Sequence, residues 1–336
     1  MTAPNNDIIK SIFNISPGNF EQTAIRLFRY QYEHNNIYRQ YCDAINIKME
    51  SINTVEKIPF LPIGFFKTKK ICTTVFDPAI TFESSGTTGS INSRHFVKDI
   101  SVYAESFLKT FSRFYGNIND WCIIGLLPSY LERKNSSLVY MVNELVKKSN
   151  NPNSGFYLYD FKKLYDTILA NEKEKQPTFF IGVTYALLDF AAQNKMELKF
   201  TTVMETGGMK GRREEMSRAT VHHQLQQQLG IAEVHSEYGM TELLSQAYSC
   251  GNGIFSCPPW MKILIRAEDD PFEITSAKNI HKEYAAGAVN IIDLANVYSC
   301  AFIATDDVGK LYKNENFEIN GRLNNSDMRG CGLMIL

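Results

Sequence analysis

The hydrophobic pattern divides this chain into a helical start, a long alternating middle and a strand-rich end. From Asn6 to about Ile47 the chain has few breakers, and Phe20, Ala24, Leu27, Phe28 and Tyr32 recur at three- and four-residue steps. That spacing predicts helices with one apolar face. Ile58-Pro-Phe-Leu-Pro-Ile-Gly-Phe-Phe-Lys67 then breaks the helical pattern with two prolines, and reads equally as a pocket lining or a buried connector.

Apolar residues Pro78-Ala-Ile-Thr-Phe82 suggest a short strand, and a helix is expected from about Val97 to Tyr115. Trp121-Cys-Ile-Ile-Gly-Leu-Leu127 is a continuous apolar run ended by Pro128, which suits a strand covered on both faces. Helical patterns near 137–148, 161–171, 185–194 and 212–229 then alternate with strand patterns at 155–159, 178–182, 200–205 and 233–236. Such alternation predicts an α/β domain with a largely parallel sheet. From about Pro258 the runs shorten (Met261–Arg266, Ala288–Leu294, Ala301–Ala304, Phe317–Ile319) and predict a smaller β-rich subdomain. The expected organisation is a helical region over 1–80, an α/β core over 81–257 and the β-rich part over 258–336.

In open sheets of this class, ligands sit beyond the carboxyl ends of strands. Three polar loops fall there: Ser84–Ser90, Glu205-Thr-Gly-Gly208 and Glu237-Tyr-Gly-Met-Thr-Glu242. The first lies within Thr81-Phe-Glu-Ser-Ser-Gly-Thr-Thr-Gly-Ser90, rich in hydroxyls and glycine, and followed by Ser93-Arg94-His95. Glycine permits close backbone approach, and hydroxyls with successive N–H groups at a helix start form an anion cradle. The Walker spacing is missing, and a plain flexible connection is the bland alternative. For Thr241 and Glu242 the bland alternative is a helix start, with a capping threonine and a first-turn glutamate.

Composition narrows the field. The 336 residues are 44% hydrophobic and 21% charged, with 35 basic and 36 acidic side chains. A net charge of −1 gives no electrostatic footprint for nucleic acid. A polar N-terminus and the lack of any long apolar run predict neither a secretory leader nor a membrane span. Seven scattered cysteines, an odd number, suggest reduced thiols and a cytoplasmic protein. Cys250 and Cys257 lack partners at zinc-site spacing. The six histidines show no metal spacing either, and His222-His223 fall on a helix expected to be solvated.

Two motifs carry a resemblance. Ser84-Ser-Gly-Thr-Thr-Gly-Ser90 resembles the phosphate loop of the adenylate-forming superfamily, and Tyr238-Gly-Met-Thr-Glu242 resembles its Y-G-x-T-E motif. Gly207-Gly208 lies between them in order. Thr305-Asp-Asp-Val-Gly309 is similar to the motif whose aspartate, here Asp307, holds ribose hydroxyls. Gly321-Arg322 is similar to the pair that opens that superfamily's hinge, whose aspartate is here Asn324. The Pro59–Lys67 segment and Arg329-Gly-Cys-Gly332 more narrowly resemble the acyl-protein synthetase family, the fatty-acid-activating component of the bacterial bioluminescence fatty acid reductase.

The resemblance implies the adenylate-forming large-domain fold and an ATP- and Mg²⁺-dependent ligase. The nucleotide would meet Ser84, Ser85, Gly86, Thr87, Thr88, Gly89, Ser90, Gly207, Gly208, Tyr238, Gly239, Asp307 and Arg322. Thr241 would bond an α-phosphate oxygen, Glu242 would bind Mg²⁺, and Cys331 would accept the acyl group as a thioester. Arg94 and Lys98 are nearby cations for phosphate. The implied substrate is a fatty or aromatic carboxylic acid, and an acyl-accepting reductase or carrier protein is an implied partner; a homo-oligomer stays open. Ordinary superfamily members continue into a lid domain that carries a lysine for adenylation. This sequence ends at Leu336, so an adenylating core without that lid is expected. The competing readings are a short acyl- or aryl-CoA ligase of the phenylacetate type and a catalytically degenerate nucleotide-binding subunit.

Overall fold

The structure, a computed structural model, describes residues 9, 11–85, 91–127, 135–158, 160–207 and 216–323. These fall into two compact units. The first holds the described residues of Met1–Phe107, Gly239–Gln246 and Ser256–Ser326; the second holds those of Leu108–Tyr238 and Ala247–Phe255.

The second unit is the parallel α/β body that the alternation predicts. Gly155–Phe156, Cys122–Leu126, Thr178–Val183, Thr201–Thr206 and His235–Tyr238 pair in parallel in that order. Ala247–Ser249 then adds antiparallel to His235–Tyr238. Cys122–Leu126 and Thr178–Val183 are buried at every position, as strands covered on both faces must be. Helices Ser137–Ser149, Phe161–Lys173, Thr184–Gln193 and Arg218–Leu229 supply the cover. Three of them start on side-chain caps: Ser136, Asp160 and Ser217 each accept a bond from a first-turn N–H. The Ser217 cap starts the last helix at Arg218, six residues later than the sequence pattern suggests.

The first unit carries the β-rich part. Ile274–Thr275, Met261–Arg266, Tyr284–Asp293, Phe302–Tyr312 and Phe317–Arg322 form an antiparallel series in that order. Helices Phe20–His34 and Asn36–Ala44 pack on it, with Asn35 accepting from Tyr38 N to start the second. Phe28 and Tyr38 meet Phe302 at ring distances of 6.3 and 6.1 Å, and Phe60 meets it at 6.3 Å. All four rings are at least 95% buried, and cutting one back to alanine costs about 3–5 kcal/mol. Leu61–Pro62 pairs in parallel with Ile303 and Ala304. With Ile58, Phe60, Ile63 and Phe66 also buried, the segment is a buried connector.

One expectation about polarity fails here. Tyr32 is half-buried at the edge of its helix and bonds Asp43 at 2.6 Å. Gln31 occupies the buried face instead. Its amide is fully matched: Nε2 donates to the Asn296 and Val297 carbonyls at 2.8 and 3.1 Å, and Oε1 accepts from Ala301 N at 2.9 Å.

The start of the helix after the hydroxyl-rich segment is also corrected. Arg94–Val97 is a strand that pairs antiparallel with Ile80–Glu83, and the helix runs Ile100–Tyr115. The alternation exposed, buried, half-buried, buried across Arg94–Val97 is the period of a strand. Asp99 then accepts from the Ser101 N–H and hydroxyl at 2.9 and 2.7 Å, beside the helix start. The hydroxyl-rich segment therefore connects two strands rather than entering a helix.

Candidate functional site

In the first unit the motif segment Gly239–Gln246 is a turn, with Leu243 N bonded to Met240 O at 3.1 Å. It is not a helix start, which removes the capping alternative for Thr241 and Glu242. Four of its residues are held from outside the turn. His95 Nδ1 lies 2.9 Å from the Thr241 carbonyl. Asn296 Nδ2 donates to the Glu242 carbonyl at 2.8 Å. Asp293 accepts from Leu244 N at 2.8 Å and from the Ser245 hydroxyl at 2.6 Å. Ser245 also lies 3.1 Å from the Ser106 hydroxyl, which accepts from Trp260 Nε1 at 2.9 Å.

These supports are buried, and burial sets their protonation. It drives the His95 imidazole down to about 4, against the Thr241 carbonyl bond and the Glu242 charge. A neutral ring facing a carbonyl must carry its hydrogen on Nδ1. Burial pushes Asp293 up to about 6, opposed by its bonds to Ser245, Leu244 and Ala295. Asn296 in turn belongs to the stretch that Gln31 grips, and Asn35 and Thr73 grip Ser299 O at 3.1 and 2.6 Å.

Ser84 closes the base of the hydroxyl-rich segment: its N–H bonds Ser93 O at 3.0 Å and its hydroxyl accepts from Ser93 N at 2.9 Å. Ser85 is half-buried. Gly86, Thr87, Thr88, Gly89, Ser90, Gly208 and Cys331 lie outside the described residues. Asp307 and Arg322 come together on adjacent strands, Nε to Oδ1 3.2 Å. Of the candidate cations, Arg94 faces the Phe96 ring at 5.7 Å, and Lys98 sits 4.5 Å over Tyr298 and 5.7 Å from Phe76.

The second unit gathers a polar group at its parallel strand ends. Gly207 takes a φ of +80 just beyond Thr201–Thr206. Thr206 donates its hydroxyl to Glu237 at 2.5 Å. Glu205 accepts from the Thr184 hydroxyl at 2.9 Å and lies 3.7 Å from His222 Nε2. Burial raises Glu237 to about 7, with the Glu205 charge adding to it. His222 is 8% exposed and lies 3.3 Å from Ser236 Oγ, so it is not on a solvated face. Tyr238 is buried, its ring 5.9 Å from Phe255; Gly239 follows it into the turn. His235 pairs with the Tyr115 hydroxyl at 3.1 Å.

His95, Asp293, Asn296 and Gln31 escape sequence reasoning. His95 alone had a local signal, at a buried position of an alternating strand.

The fold is that of the adenylate-forming ligases. The chain is similar to 2-hydroxyisobutyryl-CoA ligase solved with R3-HIB-AMP, at TM-score 0.62 and 9% identity over 96% of this chain and 72% of that one. It is also similar to a long-chain-fatty-acid–CoA ligase from Archaeoglobus fulgidus, at TM-score 0.51 and 14% identity over 74% of this chain. It spans 52% of that enzyme's length.

Within that class the chain belongs to the family described as acyl-protein synthetase, LuxE, whose pattern matches residues 18–336. A long-chain-fatty-acid–luciferin-component ligase of Aliivibrio fischeri is 25% identical over 91% of this chain and 85% of its own. Among the described residues no helix is long and apolar enough to cross a membrane.

Proposed function

We propose that this chain activates a long-chain fatty acid with ATP and passes the acyl group to a thiol, with Cys331 as the acceptor. Family membership supports the reaction class, and the name of the Aliivibrio relative supports the substrate. The observation that carries the assignment to residues is the Gly239–Gln246 turn. His95 and Asn296 occupy the main-chain carbonyls of Thr241 and Glu242, and this hold on the backbone that carries both side chains supports the reading.

In the first step a carboxylate oxygen of the fatty acid attacks the α-phosphorus. The bond to the bridging oxygen breaks, and pyrophosphate leaves. This is in-line phosphoryl transfer, in which the protein chiefly positions groups and stabilises charge. Thr241 donates its hydroxyl to an α-phosphate oxygen, and the segment 84–90 supplies hydroxyl and N–H donors to the other phosphates. Asp307, with Arg322 beside it, accepts from the ribose hydroxyls. In the second step a thiolate attacks the acyl carbonyl, and AMP leaves.

Glu242 offers a hard oxygen donor suited to Mg²⁺, an ion usually held by one or two carboxylates together with substrate phosphates. Among the described residues no cluster of three or more His, Cys, Asp or Glu side chains could hold a metal by itself, so the donor set fits an ion shared with nucleotide. Bound there, Mg²⁺ neutralises phosphate charge.

Incubation with ATP, Mg²⁺ and a panel of fatty and aromatic acids, followed by intact-protein mass, tests the reading. A hydroxylamine-labile adduct of one acyl group, absent from Cys331→Ser, is expected. AMP release only when coenzyme A is added would replace it with a soluble-thiol ligase. ATP binding without pyrophosphate release would leave a non-catalytic subunit.

A further inference from the structure

We infer that His95 is a positioning residue for adenylation, holding the Thr241–Glu242 turn in register with the hairpin that carries the hydroxyl-rich segment. This role presupposes the ligase reading above. His95 sits opposite Phe82 in the pairing of Ile80–Glu83 with Arg94–Val97. The same two strands flank the hydroxyl-rich segment, closed at its base by Ser84 and Ser93. The imidazole leaves this hairpin and reaches the Thr241 carbonyl, 146 positions along the chain, at 2.9 Å. The ring is 1% exposed and stands edge-on to Phe66, 6.0 Å away with an interplanar angle of 83°. One side chain therefore ties the two motifs that phosphate must meet together.

The choice of residue has a chemical reason. Glu242 is fully buried, and its charge acts on His95. A lysine or arginine at position 95 would bring a permanent cation to that carboxylate and compete with a metal for it. A neutral imidazole donates a hydrogen bond to the turn while leaving the carboxylate's charge uncancelled. The hydrogen bond of His95 is to the backbone of the turn, so it acts through Thr241 and Glu242 rather than on substrate.

The test is ATP–pyrophosphate exchange on the full chain with the best fatty acid. His95→Phe keeps the ring and removes the donor; kcat is expected to fall about 10- to 100-fold, the scale of an ångström-sized misplacement, at little-changed ATP KM. His95→Asn presents an amide N–H near the place of Nδ1 and restores most of kcat, whereas His95→Gln projects its amide past that place and does not. In a Thr241→Ala background, His95→Phe adds little further loss, because its effect runs through the same turn. Should His95→Phe fail to fold, the Asn and Gln variants decide the matter between them. Equal kcat for all variants, equal loss for Asn and Gln, or a loss that multiplies in the Thr241→Ala background overturns the role. Wild-type protein with no exchange on any acid overturns the ligase reading, and this role with it; active wild type with an unimpaired His95→Phe overturns the role alone.

Discussion

Replacing Gln31 with leucine isolates the grip of the N-terminal helix on the stretch beneath the motif turn. The two side chains are similar in size, so packing is largely kept while three hydrogen bonds vanish. The Asn296 carbonyl retains a bond from Ser299 N at 3.2 Å. The cost therefore falls on the Val297 carbonyl and the Ala301 N–H, both in fully buried residues. A buried polar group left unmatched costs about 1–3 kcal/mol, so the pair costs about 2–6 kcal/mol. Urea unfolding followed by circular dichroism measures it, with Tyr32→Phe as the neighbouring control. That control loses one hydroxyl bond to Asp43 at the helix edge and is expected to cost under about 1 kcal/mol. Gln31→Leu also frees the stretch from which Asn296 reaches Glu242, so pyrophosphate exchange should fall with stability. A Gln31→Leu protein as stable as wild type, or a larger loss from Tyr32→Phe, would refute the assignment of the buried face.

Other predictions concern single groups. The His95 pKa drops from 6.5 to about 4 on folding, so the folded state binds fewer protons than the unfolded one between those values. The resulting stability is present above the unfolded pKa and is lost as pH falls towards 4, amounting to about 2 kcal/mol between pH 7 and pH 5. The buried Asp293 and Glu237 carboxyls, raised to about 6 and 7, titrate in the same window in both proteins, so paired urea curves should show the change from pH 7 to pH 5 to be less favourable in wild type than in His95→Asn by that amount; equal changes would contradict it. Thr241→Ala and Glu242→Gln should each lower pyrophosphate exchange by about 100-fold or more, with Glu242→Gln also shifting the Mg²⁺ concentration for half-activity upwards. At Gly309, beside the register shift with Val308, an added Cβ would come 2.1 Å from the Glu318 carbonyl oxygen. Gly309→Ala should therefore destabilise by more than about 2 kcal/mol, seen as a lower unfolding midpoint.

How much was legible depends on how far each signal travels along the chain. The parallel body could be read because Trp121–Leu127 and Thr178–Gly182 are apolar runs bounded by turns, a wholly local signature. The helix at Val97 was misplaced because four residues of strand alternation are too few to stand against the longer helical pattern that follows. His222 was assigned to a wet face, although Val221, Leu225 and Leu229 at four-residue spacing put it beside their stripe. Gln31 was passed over because a hydrophobic count treats any amide as surface, whereas this one buries a complete set of bonds. Asp293 and Asn296 had no local sign, since their partners are 48 to 54 positions away. The motif turn was recognised from its residues; the structure adds what holds it.

The clamps on that turn are far apart in the order of synthesis. His95 is made well before residue 241, but Asp293 and Asn296 come about fifty residues after it, and Gln31 waits some 265 positions for the stretch it grips. Contacts of such long separation form late, because loop closure must be met before they stabilise anything. A chain emerging from the ribosome thus carries residues 239–246 without two of their supports until residue 296 has been translated. Nascent chains halted before Asp293 lack both Asp293 and Asn296. On the reading proposed above, a product truncated before Asp293 would lack an aligned motif turn and would activate no carboxylic acid.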